Sequence, residues 1–321
     1  MANARRLIRG GVLVSLFLLG FSLCLAAYSY VRIVRLSYVE GEVYVERPGT
    51  ESERGIANLP LVHDAVVETA EGVAEIEFES DAFARLAANS WLHLTELALR
   101  DTGGRVTTLT LERGTATFYA DPRRDDSFLV LTPYFQASIP KRAEFRVDLT
   151  SNGGRVLVFD GEVSLDTRAG AMNLGKGRMF EWDQTSQEFL VARNPERDSW
   201  DQWNAERDHQ VDASRHEAIP VHLSYGAYDL QRYGQWSSLV GFGPVWQPYV
   251  AIGWSPFVSG RWVWYPHFGW SWVSYEPWGW LPYHYGNWHY DPFWGWVWVP
   301  GFFDVWSHAR TLWVYQSGWV G

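Results

Sequence analysis

The 321-residue chain has one cysteine, Cys24, so it forms no internal disulfide and no cysteine-based metal site. HExxH, P-loop and GxSxG patterns are all missing, which removes the familiar signatures of zinc peptidases, nucleotide-binding enzymes and serine hydrolases. The tightest histidine spacing is His284 and His289, five apart, which reads as polar tips in an aromatic surface. No metal and no cofactor is expected. Positive charge is also short: 27 Lys and Arg stand against 37 Asp and Glu, a net charge of -10. A nucleic-acid partner is therefore not expected, because phosphate binding needs a positive surface. Paired carboxylates of the glycosidase kind are missing too. The C-terminal third offers only Asp229, Glu276, Asp291 and Asp304, scattered along the chain. The sequence reads as a non-enzyme.

What is present is aromatic. The chain has 20 tryptophans, and 17% of its residues are Phe, Trp or Tyr. Ahead of them, Arg5, Arg6 and Arg9 precede an uncharged run from Gly10 to Val31, followed by Arg32 and Arg35. A basic head before an apolar run keeps the amino terminus inside and sends the rest across. Residues 1–34 are therefore expected to be a signal peptide, cut after Ser29, or an uncut membrane anchor long enough to span a bilayer. A lipoprotein reading through Cys24 is weakened by Leu23 before it. The rest of the chain is expected outside the cytoplasm, in the periplasm or cell envelope.

Residues 35–193 read as a β domain. In VAEIEFES, Ala74, Ile76 and Phe78 alternate with Glu75, Glu77 and Glu79. Period two puts the apolar set inside and the glutamates on a solvated face. WLHLTELAL alternates similarly. GRVTTLTLERGTATFYA reads as two strands around a turn at Arg113-Gly114, and GGRVLVFDGEVSLDT as two around Asp160-Gly161. Strands of five to seven residues with frequent glycine turns suggest an all-β sandwich or roll.

Five phrases in order, RLSYVEGEVYVE, TAEGVAEIEF, LTLERGTATF, LTPYFQASIPKRAEFRVDL and VLVFDGEVSLDT, resemble a FecR-like domain over about residues 35–182. The resemblance implies an all-β extracytoplasmic fold. Founding members of that family relay a signal to a sigma factor through a cytoplasmic segment ahead of their membrane span. Here nine residues precede the apolar run, so no sigma-factor contact is expected. Members of that family often have Gly-Thr before the strand that here reads Phe145-Arg146-Val147; the corresponding stretch is Arg142-Ala143.

Residues 194–219 read as a helical linker. Asn194 suits the cap, Pro195 the first helical position, and Glu196 and Asp198 the first turn. Trp200, Trp203 and Val211 share one face, and the two indoles are expected to dock on a neighbouring domain.

Residues 220–321 repeat. Gly234, Gly260 and Gly286 are 26 apart, as are Trp236, Trp262 and Trp288, then Trp246, Trp272 and Trp298, then Trp254, Trp280 and Trp306. Four columns in three copies mark an internal repeat. A clipped fourth copy begins at LWVYQSGWVG. Within a copy, two alternating segments around a short turn predict a β-hairpin with tryptophans stacked across its strands. EPWGWLPYHY, with two prolines, reads as a loop or edge. The chain is thus expected to be mostly β: a FecR-like sandwich or roll, a short linking helix, then stacked aromatic hairpins of period 26. Residues from about 196 also resemble an uncharacterised Trp-, Tyr- and Gly-rich family of bacterial envelope proteins, carried by YDLQRYGQW, the stretch from Gly260 to Trp288, and GWVWVPG.

Tryptophan supplies core to a small module lacking aliphatic residues, but both strand faces are aromatic and one hairpin stack buries only one face well. Trp262, Trp264, Trp270, Trp272, Trp278, Trp280, Tyr283, Tyr285, Trp296 and Trp298 are therefore the candidates for a ligand-facing platform or for core. Surplus rings would suit a cell-wall glycan or an envelope protein. The other reading is a regulatory or assembly factor acting through the FecR-like domain, with purely structural repeats. An uncut N-terminal segment would add the membrane as a partner.

Overall fold

Alternation builds the first sheet, and glycine bends it. The computed structural model describes residues 32–79, 82–168, 170–215, 226–266, 268–300, 306–310, 315–316 and 319–320. The N-terminal apolar run with Cys24 and Ser29, and Asp304, lie outside them, as does most of the fourth repeat. Among the described residues no helix is long and apolar enough to cross a membrane.

Fourteen strands form the large sheet: β1 (Val34–Glu46), β2 (Glu53–Arg54), β3 (Leu59–Leu61), β4 (Val66–Glu77), β5 (Phe83–Leu86), β6 (Trp91–Leu99), β7 (Arg105–Ala120), β8 (Ser127–Leu131), β9 (Phe135–Ser138), β10 (Ala143–Thr150), β11 (Gly153–Thr167), β12 (Gly170–Gly175), β13 (Arg178–Asp183) and β14 (Glu188–Arg193). Its main path runs β14-β13-β11-β9-β8-β7-β5-β4-β1-β2. Strand β10 also joins β11 to β7, and β6 joins β4 to β7, so the sheet closes on itself as a roll around one core. Only β7–β8 is parallel among the described pairs of this sheet. Ala74, Ile76 and Phe78 point into that core, as the alternation predicts.

The two glycine turns are corrected. Strands β7 and β11 run unbroken for 16 and 15 residues. Gly114 (φ +88°) and Gly161 (φ +71°) bend them instead of ending them. At Gly114, β7 passes from pairing with β6 and β8 to pairing with β5 and β10. A Cβ at Gly161 would meet the Arg142 carbonyl oxygen. One long kinked strand therefore serves two parts of the roll.

Helix α1 (Ser199–Arg215) begins four residues later than the Asn194 cap implies. Asp198 caps it: its Oδ1 accepts the Asp201 backbone N–H at 3.1 Å, and Asp201 Oδ2 accepts the Asp198 N–H at 3.2 Å. Asn194 instead donates to the Val158 carbonyl. Trp200 and Trp203 stack at 4.9 Å, with Trp200 Nε1 donating to Thr117 Oγ1 and Trp203 tilted against Tyr38. The indoles dock on the roll.

Beyond α1 come α2 (Tyr228–Tyr233), β15 (Gly234–Leu239), β16 (Gly243–Pro248), β17 (Gly260–Tyr265), β18 (Gly269–Ser274), α3 (Trp280–His284), β19 (Asn287–Asp291), β20 (Gly295–Val299), and the short pair β21 (Tyr315–Gln316) and β22 (Trp319–Val320). Each copy is a hairpin. The first and third share a four-stranded sheet, β15-β16-β20-β19, bridged at Trp246 and Trp298. The second, β17–β18, stands apart and turns Val263, Tyr265 and Val273 into the core of the roll. In EPWGWLPYHY the segment read as loop or edge contains α3, whose Pro282 sits in the first turn, where the missing N–H leaves no bond unmade.

Candidate functional site

The repeat columns have a geometric cause. In every copy the first-strand tryptophan faces the second-strand one: Trp236 and Trp246, Trp262 and Trp272, Trp288 and Trp298. The second-strand indole then lies over the column glycine. A Cβ at Gly260 would sit 2.5 Å from Trp272 Cζ2, and Cβ atoms at Gly234 and Gly286 would collide with Trp246 and Trp298. Glycine recurs because an indole occupies the space of a side chain.

Those second-strand rings are core. Trp246 Nε1 donates to the Leu230 carbonyl at 2.7 Å and Trp298 Nε1 to the Tyr285 carbonyl at 2.8 Å. The ten candidates therefore divide. Trp272, Trp278, Trp280, Tyr283, Tyr285 and Trp298 are buried and pack as one aromatic cluster. As ligand platforms these six are corrected, because no ligand reaches a ring enclosed by its neighbours. Trp262, Trp264 and Trp270 are exposed by 38, 51 and 58%, and Trp296 is half-buried.

The exposed rings occupy equivalent places. Trp264 and Trp270 face one another across β17–β18, edge to face at 5.5 Å. One repeat later Tyr290 and Trp296 do the same at 5.4 Å. In the first copy the same positions hold Ser238 and Pro244. Tyr290 is exposed and absent from the sequence-based candidates; its 26-residue offset from Trp264 is the signal that finds it. In β17–β18, Trp262, Trp264, Trp270 and Trp272 share one face and form a row running from the core to the surface. The hairpin's single charged side chain, Arg261, is drawn to Glu53 at 2.6 Å, so the outward face is aromatic and uncharged.

The described acidic residues of the region, Glu276 and Asp291 among them, serve structure. Glu276 accepts hydrogen bonds from Trp254 Nε1, Ser274 Oγ and Tyr283 OH at 2.8, 2.6 and 2.8 Å. Asp291 holds the turn amides of Phe293 and Trp294. His284 is buried against Trp280 and Trp306 with Nδ1 on the Ser307 carbonyl, and burial pushes its pKa down to about 4. His289 lies tilted against Phe242, ring centroids 4.4 Å apart, so the two histidines have separate surroundings. Among the described residues no group of three His, Cys, Asp or Glu could hold a metal.

Glu75, Glu77 and Glu79 do not form a solvated face, a further correction. Helices α1 and α2 cover that face. Glu75 is buried, bonded to Arg85 at 2.7 Å and Arg207 at 2.7 Å. Burial alone would raise its pKa, but the two guanidinium groups overrule it and hold the carboxyl well below its usual range. Arg35 joins Glu77 at 2.6 Å to Asp229 at 2.9 Å. Here burial outweighs the single arginine, and both carboxyls are pushed up. Glu79 pairs with Arg32 at 2.7 Å. Arg207 also donates to the Tyr228 hydroxyl. The sequence carried one cue: Arg207 falls four residues after Trp203, on the helix face that docks.

Residues 65–164 match the model of the FecR protein family, and residues 227–321 match a family of unknown function (DUF6600). The chain carries a FecR-like domain. Two crystal structures from Parabacteroides distasonis, each provisionally described as an anti-sigma factor, are similar to the chain at 18% identity each. TM-scores are 0.35 and 0.34, over 40% of this chain and 59% and 58% of theirs. The chain thus spans under two-thirds of those proteins. No curated protein matches it. The FecR match starts after β1, so Arg35 and the loop holding Asn58 precede it. Both touch the second matched region: Arg35 through Asp229, and Asn58 through the Glu276 carbonyl at 2.8 Å. Tyr265 OH reaches the Pro60 carbonyl at 2.6 Å, and Arg47 the Trp264 carbonyl at 2.9 Å. Among the described residues, the FecR-like domain and the aromatic hairpins pack as one compact unit.

Proposed function

We infer that this is a non-catalytic envelope protein, exported or anchored by residues 10–31, in which the FecR-like domain is a rigid base for an aromatic ridge that binds cell-wall glycan. The carrying observation is the pair Trp264–Trp270, exposed on a hairpin whose other face is locked into the core. Indole faces accept the C–H faces of sugar rings. An uncharged ridge on a chain of net charge -10 favours a neutral surface over a polyanion. Anchoring the hairpin through Tyr265 and Val273 means little ordering cost on binding. The acids of the ridge's surroundings are engaged in structure, which supports a role without catalysis.

A second reading, a regulatory or assembly factor with purely structural repeats, is favoured by the burial of six of the ten candidate rings. Co-sedimentation with purified sacculi separates the two. The full chain pellets and is released by soluble glycan, and Trp264→Ala with Trp270→Ala stays in the supernatant while keeping its melting temperature. If the intact chain does not pellet, the regulatory reading stands and the search turns to protein partners.

A further inference from the structure

Strand β14 ends the large sheet, and among the described residues it pairs only with β13. Its outer row of backbone N–H and C=O groups is therefore a template for another strand. The sequence is EFLVAR, and Phe189, Leu190 and Val191 are exposed by 49, 54 and 37%. Consecutive strand residues point to opposite faces, so the edge is apolar on both. Edge strands are normally blunted by lysine, proline or a bulge. β14 contains neither residue, and its register with β13 is unbroken from Arg193 to Glu188. Its ends carry opposite charge: Asp183 faces Glu188 at one, and Arg178 faces Arg193 at the other.

We propose that β14 pairs antiparallel with β14 of a second copy, about a two-fold axis at Leu190, joining two large sheets into one. A two-fold axis normal to a sheet preserves its faces, so a single residue meets its own copy at the centre. Centred on Leu190, that leucine meets itself and Phe189 opposes Val191 in both directions, apolar against apolar. Centred on Val191, Phe189 would oppose Arg193. Antiparallel pairing in this register sets Glu188 opposite Ala192 and Arg193 opposite Gln187 and keeps like charges apart, whereas in-register parallel pairing sets Glu188 on Glu188 and Arg193 on Arg193. A six-residue edge is a small contact beside the ~1,200–2,000 Å² of standard interfaces. The dimer is accordingly reversible and grows with concentration.

The test uses the full chain in detergent, with Cys24→Ser removing the native thiol and Leu190→Cys supplying the only one. Opposed residues of an antiparallel pair have Cα atoms about 4.5–5.5 Å apart, inside the disulfide range of about 4.4–6.8 Å. Mild oxidation gives a covalent dimer on a non-reducing gel. Phe189→Cys and Val191→Cys in the same background, whose thiols do not meet their own copies, give several-fold less. Sedimentation velocity of Leu190→Lys shows monomer with an unchanged circular dichroism spectrum. Equal cross-linking at all three positions means random collision and overturns the proposal. A monomer at every concentration overturns it too and leaves the edge to a strand of another protein.

Discussion

The indole of Trp272 lies over Gly260, where a β-carbon would sit 2.5 Å from Cζ2 and 2.5 Å from the Val273 carbonyl oxygen. The same relation links Trp246 to Gly234 and Trp298 to Gly286. Gly260→Ala is therefore expected to destabilise the chain by about 1–3 kcal/mol, the usual cost of overfilling a packed site. Gly175→Ala, with nothing within 4 Å of the new carbon, should change stability by less than about 0.5 kcal/mol. Urea midpoints of the two variants measure the difference. Equal midpoints would mean that the tryptophan-over-glycine contact does not shape the repeat.

Arg35 holds two buried carboxylates from distant parts of the chain, Glu77 and Asp229. Arg35→Met leaves both without their guanidinium and should cost about 3–5 kcal/mol. Asp229→Asn in that background removes one uncompensated charge and should recover part of the loss. A double-mutant cycle on unfolding free energies reads the coupling. Additive effects would show that the cluster does not tie the repeats to the roll.

His284 gives a pH dependence with a definite sign. Its folded pKa of about 4 lies below the ordinary 6.5. Below 6.5 the unfolded chain takes up a proton that the folded chain refuses until about 4. Its contribution is thus complete above 6.5 and is lost as pH falls through that window, by up to about 1.4 kcal/mol per pH unit. Unfolding free energies between pH 7 and 4 should fall more steeply for the native chain than for His284→Phe. Parallel curves would contradict the burial of a neutral imidazole. Glu77 and Asp229, whose carboxyls are raised, act in the opposite sense: their contribution is present at acid pH and lost as pH rises through their folded pKa values.

Much of this architecture was legible in periodicity. The alternation at Ala74, Ile76 and Phe78 named a core face, and the 26-residue columns named the hairpins and their cross-strand tryptophans. Glycine misled in the roll because its freedom suits a bend within a strand as well as a turn between two. Gly114 and Gly161 have the torsions of turns, yet β7 and β11 continue through them. The glutamates misled because period two says which residues share a face but not what covers it. Arg207, 132 residues from Glu75, is supplied by a helix that no local pattern links to β4. Among the tryptophans, sequence could not separate Trp264 from Trp298: each lies in an alternating strand beside a cross-strand ring, and only the aromatic cluster of Trp278, Trp280 and Tyr283, packed around Trp298 and Trp272 and not around Trp264, decides which ring is enclosed.

The central claim is that the outward rings bind and the inward rings build. Its most direct measurement is the indole N–H spectrum of the chain, by nuclear magnetic resonance, during titration with soluble cell-wall glycan fragments. Signals of Trp262, Trp264, Trp270 and Trp296 are expected to shift in a saturable way. Those of Trp246 and Trp298, fixed on the Leu230 and Tyr285 carbonyls, are expected to stay in place. No shift at any concentration, or shifts confined to the buried indoles, would contradict the account.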